Sequence, residues 1–170
     1  NYNLDGVISK ITLDSRNVAS NCLFVAIRGE HLDGHDYVAR VVADKSNYAL
    51  VNKDFALDLP NVISVEDTKL ALGVLAANYR QQFNLPVVGI TGSNGKTTVK
   101  EMLREVCKKE FGDEHVLATK GNLNNHLGMP LTLLELDSQH KVAIIEMGMN
   151  HSGELDYLTK LAQPTIAVVN

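Results

Sequence analysis

The stretch that most constrains what this chain can fold into is residues 86–98, PVVGITGSNGKTT. A short β-branched run breaks into Gly92-Ser93-Asn94-Gly95 and then enters a helix at Lys96-Thr97-Thr98. Two glycines let the backbone turn tightly, approach an anion and aim successive N–H groups inward, and the helix adds the positive end of its dipole. Lys96 is placed to reach the outer phosphates of a nucleotide, and Thr97 offers a hydroxyl to a Mg²⁺ bridging them. The spacing departs from the common G-x-x-x-x-G-K-[ST] form, whose first glycine would fall at Ile90; the glycines here are Gly89, Gly92 and Gly95. The loop is a shorter T-G-x-x-G-K-T variant. A glycine-rich turn that binds nothing is the alternative, but a strand before it, an amphipathic helix behind it and the Lys-Thr pair favour nucleotide binding. Gly92, Ser93, Asn94, Gly95, Lys96, Thr97 and Thr98 are the expected nucleotide contacts.

The remainder of the chain reads as strand and helix in alternation. Before the loop come an alternating segment around residues 7–13, an apolar strand over 22–27, a polar RGEHLDGHD segment, and a helix starting at Asp36 with Tyr37, Val38, Val41 and Val42 on one face. Strands over 48–51 and 62–65 follow. Asp67 then caps a helix from Thr68 to about Phe83, with Leu72, Leu75, Ala76 and Tyr79 at helical spacing. The Asn84-Leu85-Pro86 break sets the expected boundary between domains 1–84 and 85–170. Behind the loop, Val99, Met102, Leu103, Val106 and Cys107 are expected on the core face of a helix that Gly112 stops. A strand at 116–119, a polar loop at 120–125, a helix from Gly128 through Leu136, a strand at 142–145, a glycine-bearing loop at 147–153, a helix at 154–161 and a strand at 165–169 complete the series. The fold class is α/β: a small N-terminal α/β domain, then a partial P-loop NTPase-like, mostly parallel sheet with helices on its faces.

Ligands of open parallel sheets lie beyond the C-terminal ends of the strands, so the segments 91–98, 119–125 and 146–153 should share one crevice. Glu146, at a strand tip, reads as a carboxylate available to Mg²⁺ directly or through water, against the plainer reading of a solvated strand-end acid. Lys96 and Glu146 are the candidate catalytic residues, and Thr97 and Glu146 the candidate metal ligands. His31 and His35 are separated by an Asp33-Gly34 turn signal, which argues against a metal pair. His151 and Asn150 sit in the loop after Glu146 and are polar candidates. His115, His126 and His140 have no partner recognisable in sequence.

Composition narrows the class. Sixteen Lys and Arg against twenty Asp and Glu leave a net charge of −4, with the basic residues scattered, so neither nucleic acid nor a membrane surface is an expected partner. Cys22 and Cys107 lie in apolar runs without metal-ligand spacing, which fits buried thiols in a reducing, cytoplasmic setting. No leader-like or membrane-length apolar run is present in the sequence given, and a monomer is expected.

TGSNGKTT, TKGNLNNHLGMPLTLL and IIEMGMNHSGELDYL, following DSR and LFVAIRGEHLDGHDY in this order, resemble the Mur ligases of peptidoglycan synthesis over nearly the whole chain. GNLNN and EMGMNHSGE resemble the member that adds D-Ala-D-Ala. The resemblance implies an ATP-dependent amide ligase of cell wall biogenesis, with links to cell shape, cell cycle and cell division. Its substrates would be UDP-N-acetylmuramoyl-tripeptide and D-Ala-D-Ala, joined through an acyl phosphate. It implies a first domain that holds the UDP end through Ser15 and Arg16 and the turn Gly29, Glu30 and His31, with Asn124 and Asn125 reaching the diphosphate or muramoyl portion. It also implies further segments beyond residue 170, carrying a metal-ligating histidine, a modified lysine and a third domain, so the 170-residue piece is expected not to ligate on its own. Two other classes stay open at this point. One is a P-loop phosphotransferase or GTPase, although no N-K-x-D motif is found; the other is a nucleotide-binding module without turnover.

Overall fold

The computed structural model describes residues 7–55 and 57–170; the other seven residues of the expected first domain lie outside that description. The chain divides into two compact units, a first running to Leu72 and a second over Gly73–Asn170. Each is built on its own four-stranded parallel sheet.

The first unit orders β1 (Lys10–Thr12), β2 (Cys22–Val25), β3 (Tyr48–Asn52) and β4 (Val62–Val65) consecutively across its sheet. Cys22 to Val25 are all buried, as a strand covered on both faces requires. The helix expected from Asp36 is instead a 3₁₀ turn, Gly34–Tyr37, running into a single α-helical turn, α1 (Val38–Val41). Its start is set by Asp33, whose carboxylate accepts the His35 N–H at 2.9 Å. The expected apolar face holds nonetheless, with Val38, Val41 and Val42 packed on Phe24, Ala49 and Val51. The first strand is shorter than its alternating pattern, pairing only Lys10 to Thr12 with β2.

Helix α2 (Thr68–Arg80) spans the change of unit. Asp67 caps it as expected, accepting the N–H groups of Lys69 at 2.7 Å and Leu70 at 3.0 Å. The buried Thr68 hydroxyl lies 2.8 Å from Ala26 O in the first unit, whereas Ala76 packs with Leu85, Val87 and Leu161 in the second. Tyr79 donates to Leu136 O at 2.8 Å, and Arg80 Nε donates to Ala162 O at 3.1 Å. The compact units therefore divide within this helix, ahead of the Asn84-Leu85-Pro86 break. A turn signal marks where the chain changes direction, while packing decides which unit a helix joins. Leu75, expected inward, is 37% exposed because the buried stripe runs through Leu72, Ala76 and Arg80.

The second unit orders its strands β6 (Val116–Ala118), β7 (Val142–Glu146), β5 (Val87–Thr91) and β8 (Ile166–Val169). The chain leaves the central strand β5, crosses to β6, returns through β7, and then passes to the other side of β5 as β8. A switch point of this kind opens a crevice at the strands' C-terminal ends. Helices α3 (Lys96–Phe111), α4 (Gly128–Leu133) and α5 (Glu154–Ala162) cover the sheet. On α3, Val99, Leu103 and Cys107 pack on Val88, Ile90 and Ile144 as expected, but Met102 and Val106 are 67% and 66% exposed. The inward stripe advances by three or four residues through the half-buried Lys96, Leu103 and Cys107 and the fully buried Lys100, and the second apolar stripe lies a third of a turn away. The residue that takes the inward place is Lys100.

Removal of a helix N-cap carboxylate costs about 0.5–2 kcal/mol. Asp67→Ala is expected to lower the stability of the protein by about 1 kcal/mol, read as an earlier midpoint in urea denaturation with an unchanged slope.

Candidate functional site

The loop predicted from sequence joins β5 to α3 at the centre of the second sheet. Gly92 and Gly95 have φ of 144° and 76°, in the region that L side chains avoid. A Cβ on Gly92 would lie 1.8 Å from Asn170 O, so the turn is closed to any larger residue. Asn170, just beyond β8, braces the loop along its length. Its N–H donates to Thr91 O at 3.1 Å, its carbonyl accepts the Ser93 N–H at 3.2 Å, and its side-chain amide donates to Asn94 O at 2.5 Å. Lys96 Nζ donates to Gly92 O at 2.7 Å, which holds the ammonium across the loop. Ser93, Asn94, Thr97 and Thr98 are exposed, at the N-terminal end of a sixteen-residue helix.

Glu146 is the last residue of β7 and only 2% exposed, which excludes the solvated strand-end reading. Its Oε2 accepts the Thr97 hydroxyl at 3.0 Å and its Oε1 accepts the Asn124 amide at 2.9 Å. Its N–H donates to Thr119 Oγ1 at 2.9 Å. Lys100, 1% exposed, lies 3.9 Å from Glu146 Oε2, donates to Thr119 O at 2.7 Å and pairs with Glu101 at 2.9 Å. The segments at 91–98, 119–125 and 146–153 are thus drawn together, as the fold class implies. Gly148 N donates to Asn124 O at 2.8 Å, and Thr91 Oγ1 donates to Met147 O at 3.0 Å.

A cavity of about 580 Å³ opens here, lined by Lys96, Asn124, Asn125, His126, Asn150 and Glu154 among others. A larger one of about 670 Å³ runs along the edge strand β6 between Glu101, Arg104, Lys120 and Glu135, away from the loop. The smaller one holds the loop lysine and is the candidate site. Asn125 Oδ1 accepts the N–H groups of Leu127 and Gly128 at 3.0 and 2.8 Å, capping α4, so this side chain offers the cavity its amide rather than its oxygen. Glu154 accepts the N–H groups of Asn150 at 2.7 Å and His151 at 3.1 Å. Those two backbone donors hold its carboxyl below the usual range. His151 is tied to this turn and is not among the residues lining the cavity.

In the first unit, a cavity of about 610 Å³ gathers Asp14, Ser15, Arg16, Gly29, Tyr37 and Arg40. Ser15, Arg16 and Gly29 therefore meet, whereas Glu30 and His31 are exposed and do not line it. Arg40 was not singled out in the sequence. It donates to Ser15 Oγ at 2.9 Å and lies 5.3 Å over the Tyr37 ring. His35 is buried: Asn52 N–H donates to its Nε2 at 3.0 Å, so Nδ1 carries the proton toward Asp33 at 2.6 Å. That network explains His35 as a structural residue.

A parallel sheet whose central strand delivers a glycine loop and a helix N-terminus to a switch-point crevice, with a buried carboxylate bonded to the loop threonine, belongs to the P-loop class. Two family models match: the Mur ligase family catalytic domain over residues 7–80, and the Mur ligase middle domain over residues 90–170. The chain belongs to the Mur ligase family. It is 43% identical over 165 residues to the UDP-N-acetylmuramoyl-tripeptide–D-alanyl-D-alanine ligase of Haemophilus influenzae, covering 96% of this chain and 36% of that relative. It superposes on the crystal structure of MurF from Acinetobacter baumannii with a TM-score of 0.87 at 43% identity, covering 95% of this chain and 35% of that one. The MurF ligase of Thermotoga maritima in complex with ADP is similar at a TM-score of 0.86 and 30% identity, over 95% of this chain and 37% of its own. The chain thus spans a little over a third of the length of the relatives it matches. Among the described residues no helix is long and apolar enough to cross a membrane.

Arg16 pairs with Asp14 at 2.8 Å, and the hydrogen bonds from Arg16 lower the Asp14 carboxyl to about 2. A depressed carboxylate adds stability above its unfolded value, near 4, and loses it as pH falls toward the folded value. Both groups are at the surface, so the expected readout is local: an NMR titration of the Asp14 carboxyl with a midpoint near 2, moving up toward the ordinary value in Arg16→Ala.

Proposed function

We propose that this chain supplies the nucleotide site and the muramoyl-peptide site of an ATP-dependent ligase that joins D-Ala-D-Ala to UDP-N-acetylmuramoyl-tripeptide. The observation that carries this reading is the hydrogen bond from Thr97 to the buried Glu146 beside a glycine loop and Lys96. Residues 85–170 form the ATP-binding part in this reading, and residues 1–84 the UDP-muramoyl-peptide part. The names of the relatives and the ADP complex of the Thermotoga maritima ligase support the substrates.

In this reading the ATP phosphates lie against the amides of residues 92–98 at the N-terminus of α3, where the helix dipole and loop N–H groups favour an anion. Lys96 would exchange Gly92 O for the outer phosphate oxygens and follow the charge that develops as the γ-phosphoryl group transfers. Thr97 Oγ1 and Glu146 Oε2 are hard oxygen donors 3.0 Å apart, and among the described residues no group of three His, Cys, Asp or Glu could hold a metal unaided. That donor set fits Mg²⁺, which takes one or two protein oxygens together with phosphates and water. When bound there, Mg²⁺ would neutralise charge on the bridging phosphate oxygens. Asn124 keeps the Glu146 carboxylate turned toward Thr97, and with Asn125 it would present amide N–H groups to the diphosphate or muramoyl portion of the acceptor.

The chemistry needs no protein nucleophile. A carboxylate oxygen of the peptide attacks the γ-phosphorus, ADP leaves, and the resulting acyl phosphate is attacked at carbon by the dipeptide amine. Phosphate then departs and the amine proton is lost to solvent. Positioning and electrostatic stabilisation supply the catalysis. Ser15, Arg16 and Arg40 bring two guanidinium groups and a hydroxyl to one cavity, a donor set suited to a diphosphate. Gly29 lines that cavity, and Glu30 and His31 would reach a ligand only from its exposed rim.

Calorimetric titration tests the reading with UDP-N-acetylmuramoyl-tripeptide, UDP and Mg-ATP in separate experiments. A hydrogen bond to a charged group contributes about 1.5–3 kcal/mol, so Lys96→Ala is expected to weaken Mg-ATP about 10- to 100-fold and to leave the muramoyl peptide unaffected. Arg16→Ala is expected to do the reverse. Binding of ATP without any preference for the muramoyl peptide over UDP would overturn the substrate assignment.

A further inference from the structure

Lys100 is the least expected charge in the second unit. It lies on α3 one turn beyond Lys96 on the same stripe, at 1% exposure, where an amphipathic helix would carry an apolar residue. A buried ammonium persists when it is paired and hydrogen-bonded, and the same holds for a buried carboxylate. Lys100 and Glu146 are each nearly inaccessible and stand 3.9 Å apart. The two hydrogen bonds that Glu146 accepts come from neutral groups, Thr97 and Asn124. Among the described residues, the ion pair that Glu146 forms is with Lys100. Lys100 is fixed in turn by its hydrogen bond to Thr119 O, and Thr119 Oγ1 holds the Glu146 N–H. Its other partner, Glu101, is half exposed and screened by water.

The geometry has a consequence for a cation at Thr97 and Glu146. The carboxylate oxygen that Thr97 reaches, Oε2, is the one that faces Lys100. A divalent ion arriving there alone would meet a buried positive charge 3.9 Å from the carboxylate oxygen it must bind. Phosphates arriving with the ion add several negative charges that offset it. We infer that Lys100 is the resident counter-ion of Glu146, so that the site rejects free Mg²⁺ and accepts it together with the phosphates of the nucleotide. Lys100 is a positioning residue in this account. The inference rests on Thr97 and Glu146 being the Mg²⁺ position of the proposed function.

The test is a set of urea denaturations of the whole chain in EDTA: wild type, Lys100→Met, Glu146→Gln, Glu101→Gln, and the doubles Lys100→Met/Glu146→Gln and Lys100→Met/Glu101→Gln. Lys100→Met is expected to lower the folding equilibrium constant at least tenfold. The loss should shrink to less than about threefold when Glu146→Gln is present and stay near its full size with Glu101→Gln, the signature of pairwise coupling to Glu146. Millimolar Mg²⁺ without nucleotide is expected to leave the wild-type midpoint unchanged and to raise that of Lys100→Met, because the metal takes the place of the lost ammonium. A merely structural lysine would give the same loss with and without Mg²⁺ and in every background, and that result overturns the proposal. So does a wild type that Mg²⁺ alone stabilises as strongly as it does Lys100→Met. Should Lys100→Met fail to fold in EDTA, recovery of folding by Mg²⁺ or by Glu146→Gln supports the proposal, and recovery by neither overturns it. Failure of the underlying metal assignment is visible separately, as wild-type ATP binding equal in Mg²⁺ and in EDTA; it would remove the Mg²⁺ selectivity while the coupling of Lys100 to Glu146 stood or fell on the EDTA series.

Discussion

A carboxylate buried at the tip of a strand must be compensated, and the way Glu146 is compensated fixes the arrangement of everything around it. Its oxygens draw in Thr97 from the start of α3 and Asn124 from the loop after β6, and its N–H engages Thr119 at the end of β6. Each of those groups is itself held: Thr119 O by Lys100, and Asn124 O by the N–H of Gly148. Two separate loops are thereby tied to one side chain, and the loop that follows Glu146 is tied to them through Asn124 O. An isolated buried carboxylate would be costly, and a fully satisfied network of this kind makes the local arrangement specific.

The phosphate loop depends on a second set of contacts of a different character. Its shorter spacing removes residues that could wrap a phosphate, and the remaining ones are supported from behind by Asn170 through both backbone and side chain. The register that pairs Thr91 with Val169 brings Asn170 there. A loop held on rigid strand ends keeps its N–H groups oriented before any ligand arrives, which is the condition for electrostatic stabilisation without reorganisation. The sheet order then matters for function: with β7 on one side of β5 and β8 on the other, the carboxylate and the brace flank the loop from opposite sides.

Much of this was legible in the sequence because it depends on local chemistry. Glycines at 92 and 95, a Lys-Thr pair and an acid at a strand tip announce themselves by residue type and spacing, and the apolar runs at 22–27, 48–51 and 142–145 announce the strands β2, β3 and β7 to within one or two residues at their ends. What was not legible depends on which neighbours arrive. Met102 and Val106 match an apolar stripe as well as Leu103 and Cys107 do, and only the sheet beneath decides between them. Asn125 is a helix cap because Gly128 begins α4 there. Arg40 joins Ser15 across twenty-five positions of sequence, and such a pairing leaves no local trace. The chain bends at Leu85 within the Asn84-Leu85-Pro86 break, yet α2 had already begun packing with the second unit before reaching it, since Ala76 and Tyr79 meet residues far along the chain.

Along α3 the buried stripe changes character with height. Cys107 and Leu103, toward the C-terminal end, pack against the apolar sheet, Lys100 sits among strand ends and polar side chains, and Lys96 stands at the loop. The helix dipole favours anions at its first turn, so two lysines on one face there are unfavourable for the helix by itself and must be offset from outside. Glu146 and Glu101 offset Lys100, and Gly92 O engages Lys96. The same arrangement places the Lys96 ammonium at the crevice while the lower half of the helix provides the hydrophobic burial that anchors it. Sequence patterning read as a single hydrophobic period misses this division. One stripe serves the core at one end and electrostatics at the other, and Lys100 marks where the change occurs.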